Sequence, residues 1–151
     1  MKVEDIKTIA MYGAGTIGGG FAAYFSLKGL NVNVFVRSEG SIERSKPKVQ
    51  EAIDTYVKYG IIENGDDIWS RIHFTTDPAE AFTGVYFVQE NGPENTEEKH
   101  KMVAVMEQYL PVDAIIASSS SGTPVNASAG SVVNLMRDQI SSPFSMMPYL
   151  M

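Results

Sequence analysis

Apolar residues in this chain come in short unbroken runs, separated by longer stretches in which they recur every three or four positions. Runs that are apolar throughout, rather than at alternate positions, suit strands covered on both faces. They predict strands at Lys7–Met11, Asn31–Val36, Ile72–Thr75, Gly84–Gln89 and Ala114–Ala117, with a last one near Gln139–Phe144. Helical spacing fills the intervals. It predicts a helix from Thr16 to about Lys28, closed by Gly29, and a longer one from Ser41 to about Tyr59, closed by Gly60. In the longer one Val49, Ile53, Tyr56 and Val57 share a face, and Pro47 marks where the regular helix is expected to begin. Asp77-Pro78-Ala79-Glu80 is a capped helix start, with Asp at the N-cap, Pro at the first position and an acid in the first turn. A further helix from about Glu94 to Tyr109 sets Met102, Met106 and Tyr109 on one side and stops before Pro111. Strand and helix alternate throughout, which predicts an α/β fold with a doubly wound, mostly parallel sheet as a single domain over 1–151.

The first strand run leads into Gly13-Ala14-Gly15-Thr16-Ile17-Gly18, and a helical segment follows at once. That is the Rossmann-type layout for setting a dinucleotide pyrophosphate on a helix N-terminus. Gly13 allows the tight turn, Gly15 removes a Cβ that would collide with phosphates, and Gly18 lets the helix pack close. Thr16 and Ile17 belong to the first helical turn, whose unpaired N–H groups and dipole favour negative charge. Glycine-rich turns without a ligand are common. The placement here, between a strand and a helix with a second strand one helix later, is what raises the motif above that background.

Composition narrows the classes. The chain has 151 residues, 44% hydrophobic and 20% charged, as in an ordinary globular protein. A net charge of −6 argues against a nucleic-acid footprint but leaves room for a small anionic ligand held by local amides. The absence of cysteine excludes disulfides, thiolate chemistry and cysteine-based metal sites, and no metal site is expected. No apolar run reaches transmembrane length and no signal-peptide core precedes the first strand, so a cytoplasmic protein without membrane contact is expected. Asp66-Asp67 and Glu97-Glu98 read as solvated faces, the eight methionines as packing residues, and Trp69 as a core or flap residue.

Candidate chemistry gathers where the strands end. After the second strand an NAD site usually offers a carboxylate to the ribose hydroxyls, but the chain reads Val36-Arg37-Ser38. Arg37 can pair with a 2′-phosphate and Ser38 can donate to it, which leans towards NADP over NAD; the plain alternative is a surface arginine. Glu90 and Glu94 follow the fourth strand and, in isolation, read best as a loop acid and a helix-start acid. The run Ser118-Ser119-Ser120-Ser121-Gly122 follows the fifth, and composition alone makes it a polar loop.

Together these two segments resemble a known family. Val88-Gln89-Glu90, Pro93-Glu94-Asn95 and Lys99, followed by Ile115-Ile116-Ala117 and the serine run, are similar to the NAD-binding domain of the 3-hydroxyacyl-CoA dehydrogenases. The Gln-Glu dipeptide and the serines are closest to the lambda-crystallin, L-gulonate dehydrogenase and carnitine dehydrogenase branch. The resemblance implies that Gly13, Gly15 and Gly18 hold the pyrophosphate and that Glu94 and Lys99 contact the cofactor side of the cleft. It also implies that Ser121 reaches cofactor and substrate, and that hydride passes between nicotinamide and a 3-hydroxy or 3-keto carbon while a histidine handles the proton. A small acyl-CoA or hydroxy-acid substrate and a place in fatty acid metabolism follow from it.

The departures are as informative. Counting on from Ser121, the catalytic histidine falls on Ser142, and the asparagine after it on Ser145. A serine hydroxyl cannot exchange a proton near neutral pH as imidazole does. The two histidines, His73 and His100, fall at unrelated positions, His73 reading as a packed strand residue and His100 as an exposed helix residue. The helical C-terminal domain of the family is not in this sequence, which leaves apolar surface near Met146-Met147-Pro148-Tyr149-Leu150-Met151 and favours self-association. The expectation is a hydroxyacyl-CoA-dehydrogenase-like NAD(P) domain, weakly active or inactive alone. The alternatives are a non-catalytic dinucleotide-binding or interaction module, and an NADP domain like those of 6-phosphogluconate and β-hydroxyacid dehydrogenases.

Overall fold

The first apolar run forms the central strand, β1 (Thr8–Tyr12), whose side chains serve both faces of the sheet: Ile9 and Met11 pack on one side, Ala10 and Tyr12 on the other. The computed structural model describes residues 3–119 and 139–141. Along it, β1 is followed by α1 (Thr16–Leu27), β2 (Asn31–Phe35), α2 (Glu39–Lys58), α3 (Asp66–Ser70), β3 (Ile72–Thr75) and α4 (Pro78–Phe82). Then come β4 (Phe87–Glu90), α5 (Thr96–Glu107), β5 (Ile115–Ser118) and β6 (Gln139–Ser141). The strands form one parallel sheet in the order β3-β2-β1-β4-β5-β6. The order reverses between β1 and β4, so the carboxyl ends of those two strands diverge into a crevice, the place where such sheets bind ligands.

Two helical layers account for the unbroken apolar runs. Phe21 and Ala22 of α1, with Val49, Ile53 and Tyr56 of α2, cover one face of the sheet. Phe82 of α4, with Met102, Val103 and Met106 of α5, covers the other. Phe82 is fully buried, its ring 6.2 Å from that of Tyr12 and 5.4 Å from that of Phe35. Phe82→Ala is expected to cost about 3–5 kcal/mol, because the rigid strand residues around it cannot collapse into the space. The denaturant midpoint would report the loss.

Most predicted elements are present with ends shifted by a residue or two. Gly84 makes a left-handed turn (φ +73), so β4 starts at Phe87 rather than at Gly84. The predicted last strand is described only over Gln139–Ser141. Two sequence expectations are corrected, and one element is added. α2 does not begin at Pro47 but eight residues earlier, at Glu39, with Pro47 inside it. Ile42 and Ser45 are buried on the upstream turns, and that burial outweighs the backbone bond that proline removes. α3 was not foreseen; it is a short turn anchored by buried Ile68. His73 is not packed: β3 is an edge strand, and the ring lies exposed, 3.0 Å from Glu80. Hydrogen bonds from Thr75 and His73 hold the Glu80 carboxyl below its usual range.

Candidate functional site

Beyond β1 the chain turns sharply at Gly13, whose φ of +84 is the left-handed conformation that side chains resist. Its N–H still extends the sheet ladder, donating to the Phe35 carbonyl (2.9 Å). α1 then starts with Gly15 at its N-cap, where no side chain is present to satisfy the first-turn amides. Gly15, Thr16 and Ile17 are exposed at this mouth, whereas Gly18 is buried. A Cβ on Gly15 would meet nothing within 4 Å, while one on Gly18 would lie 2.5 Å from the Gly13 carbonyl oxygen. Gly18 thus admits the helix against the turn, while the space in front of Gly15 is open. Gly19 adds a contact that the motif did not announce. A Cβ there would lie 2.9 Å from the Lys48 Cβ, so α1 and α2 touch backbone to backbone.

A cleft of about 410 Å³ opens over this turn, within the usual size for a small-molecule site. Its walls are the glycine loop, the end of β2 at Val36 and Arg37, one side of α2, and the loop after β4 at Asn91-Gly92-Pro93. Val36 is buried, so the position that would carry a ribose-binding acid is an apolar wall. Arg37 is largely exposed and reaches Glu98 of α5 at 3.3 Å. Ser38 caps nothing with its side chain; its hydroxyl lies 2.9 Å from that of Ser41. Burial pushes the Tyr12 phenol above its usual range, with Arg37 pulling the other way, which leaves a neutral hydroxyl on the cleft wall.

Asn91 holds the floor of the cleft together, a role that no single-sequence signal singled out. Its N–H donates to the Tyr12 carbonyl (3.0 Å), and its side-chain Nδ2 donates to the carbonyls of Gly13 (3.3 Å) and Gln89 (3.2 Å). Its Oδ1 accepts from the Ser119 hydroxyl (2.7 Å), which in turn accepts from Gln89 Nε2 (2.8 Å). The start of the serine run is thereby fixed to the glycine turn.

Glu90 is not a loop acid. It ends β4 with its side chain only 3% exposed and accepts from the Lys99 ammonium (2.7 Å) and the Ser118 hydroxyl (2.6 Å), and also from the Gly92 amide. The Ser119 amide donates to the Glu90 carbonyl (2.9 Å). Lys99 thus points inward, and neither it nor Glu94 lines the cleft; Glu94 is exposed on the loop before α5. Ser121, Ser142 and Ser145, and the terminal apolar segment, lie outside the described residues. Among the described residues no group of three or more His, Cys, Asp or Glu is placed to hold a metal, and no helix is long and apolar enough to cross a membrane.

A parallel sheet in this strand order, a glycine turn with uncapped helix amides at its switch point and a cleft above it define a Rossmann dinucleotide-binding domain. The chain belongs to the family "3-hydroxyacyl-CoA dehydrogenase, NAD binding domain", which it matches over residues 8–148. It is 30% identical to the L-carnitine dehydrogenase of Streptomyces griseus over 147 residues, covering 97% of this chain and 43% of that one. It is 33% identical to a 3-hydroxyacyl-CoA dehydrogenase of Gibberella moniliformis over 121 residues, covering 80% and 37%. Among solved structures, FadB2 of M. tuberculosis superposes with a TM-score of 0.78 at 25% identity, covering 83% of this chain and 45% of that one. The chain spans less than half the length of these relatives. The match decides for this family over the 6-phosphogluconate type weighed from the sequence.

Proposed function

We propose that this chain is the coenzyme-binding part of an oxidoreductase of the hydroxyacyl-CoA or hydroxy-acid type, acting in the cytoplasm on a small 3-hydroxy or 3-keto substrate. The observation that carries the reading is the glycine turn, whose uncapped helix start at Gly15 and Thr16 opens into a cleft that no described carboxylate lines. The fit is chemical: uncapped amides suit a diphosphate, and the apolar Val36 and Phe35 wall suits an adenosine ring. Bound nicotinamide would supply hydride exchange; this chain supplies the seat. Within it, Lys99 acts through Glu90 and the 90–93 loop, and Ser121 is the proposed hydroxyl facing the substrate oxygen.

Ser142 stands where relatives would place the histidine that moves the substrate proton. Loss of such a group costs a rate factor on the order of 10² to 10⁴. The chain alone is therefore expected to bind coenzyme but turn over little or none of a 3-hydroxyacyl or hydroxy-acid substrate. Ser142 is also what supports the second reading, a dinucleotide-binding module without turnover. Titration with NADH and NADPH, followed by nicotinamide fluorescence, tests the binding claim, and robust oxidation by the purified chain would contradict the catalytic one.

Arg37 and Ser38, in place of a ribose acid, support a preference for NADPH. Arg37→Asp is expected to move the affinity ratio towards NADH, chiefly because the new carboxylate would repel a 2′-phosphate. An unchanged ratio would dismiss that role.

A further inference from the structure

The wall of the cleft contributed by α2 carries cationic groups that the motif does not include. Arg44 Nη2 donates to the Ser41 hydroxyl (2.8 Å), and that hydroxyl lies 2.9 Å from Ser38 Oγ. Lys48 follows one turn later on the same side. Arg37, Arg44 and Lys48 all line the cleft, and no carboxylate does. Among the described residues, Arg44 has no acidic partner, whereas Lys46, Arg71, Lys99 and Lys101 each sit within 3.3 Å of one. Lys48 has only a loose neighbour, Glu51 at 3.9 Å. The nearby acids are occupied: Glu98 by Arg37 and Lys101, Glu43 by Lys46, and Glu39 by the Thr76 hydroxyl. The approach of α2 is enforced by Gly19, which admits Lys48 and Val49 against the backbone of α1. That contact brings the cations of α2 to the same cleft as the glycine turn.

We propose that Arg44 is the principal specificity residue of this site. With Ser41, whose hydroxyl Ser38 holds, and Lys48, it seats a phosphate on the adenosine ribose of the coenzyme, so the chain takes NADPH over NADH. The proposal rests on the reading of the cleft as a dinucleotide site. Arg37 shares its charge with Glu98, so it contributes less than its place at the end of β2 suggests. Arg44, hydrogen-bonded to Ser41 and without a carboxylate partner among the described residues, can present its remaining N–H groups to a phosphate as a planar fork. A ribose monophosphate also occurs as the 3′-phosphate of coenzyme A. Continuity of the cleft with the Gly13–Gly18 turn favours the 2′-phosphate of NADP.

The test is titration of the wild-type chain, Arg44→Gln and Lys48→Gln with NADPH and with NADH, plus displacement of bound NADPH by 2′,5′-ADP and by 3′,5′-ADP. NADPH should bind wild type about tenfold or more tightly than NADH, the gain expected of charge-assisted bonds to a phosphate. Arg44→Gln should remove most of that difference while leaving NADH affinity within about twofold, Lys48→Gln should remove part of it, and 2′,5′-ADP should be the better competitor. Equal or tighter NADH binding by wild type would overturn the proposal and leave the coenzyme reading standing. So would an equal loss for both coenzymes in Arg44→Gln, or better displacement by 3′,5′-ADP. If neither coenzyme binds wild type, the coenzyme reading falls, and this proposal with it.

Discussion

Gly18→Ala is expected to damage the fold and the site together. The new methyl would lie 2.5 Å from the Gly13 carbonyl oxygen, 3.2 Å from its carbon and 3.1 Å from Asn91 Nδ2. None of these can easily retreat. Gly13 is already in a left-handed turn, and its carbonyl is held by the Asn91 side chain. Overpacking of a backbone contact costs about 1–3 kcal/mol, and relief requires the start of α1 to swing out, taking the coenzyme-facing amides with it. A urea midpoint lowered by that amount, with NADH affinity reduced about tenfold or more, is the predicted pair of results. Gly15→Ala is the informative contrast. Its φ of −69 suits alanine and its Cβ would meet nothing within 4 Å, so stability should stay within about 0.5 kcal/mol. Affinity should nonetheless fall, because the methyl occupies the space proposed for the diphosphate. Equal behaviour of the two variants would refute this division of roles.

Lys99→Ala should be the most destabilising polar substitution in the described part of the chain. It leaves the Glu90 carboxylate at 3% exposure with only the Ser118 hydroxyl and the Gly92 amide as donors. Breaking a buried pair from one side costs about 3–5 kcal/mol, mostly the penalty of the stranded charge rather than the worth of the bond. The double variant Glu90→Gln with Lys99→Met removes both charges and should recover much of the loss, giving a coupling of more than about 1 kcal/mol in a double-mutant cycle. A Lys99→Ala chain within about 1 kcal/mol of wild type would show that the pair is hydrated and not structural. The damage should extend to coenzyme binding. Glu90 also fixes Gly92, where a Cβ would overlap the Met102 sulfur, and so sets the position of the loop that forms one wall of the cleft.

Much of this was legible in the chain because local pattern and global fold agree. The strand runs are apolar at every position since both sheet faces are covered, and the glycine spacing is dictated by a turn and a close contact that only glycine permits. What stayed hidden depended on pairings between distant segments. Nothing near Lys99 in sequence says that it turns inward, because its partner Glu90 is brought opposite by the β4-to-α5 crossover. Asn91 carries no local mark of its role, because the carbonyl it binds, that of Gly13, follows a different strand. Arg44 likewise carries no local mark, because it is the contact of α2 with Gly19 that places it beside the coenzyme turn. Pro47 misled for the opposite reason: a local rule for proline lost to the burial of Ile42 and Ser45.

The account turns on whether amides of the opening crossover receive a diphosphate. A crystal structure of the chain grown with reduced coenzyme decides it. The account predicts diphosphate oxygens within hydrogen-bond distance of the backbone N–H groups at the start of α1, with the adenosine between Val36 and α2. Coenzyme bound elsewhere, or a crevice filled by the protein's own side chains at saturating coenzyme, would contradict it.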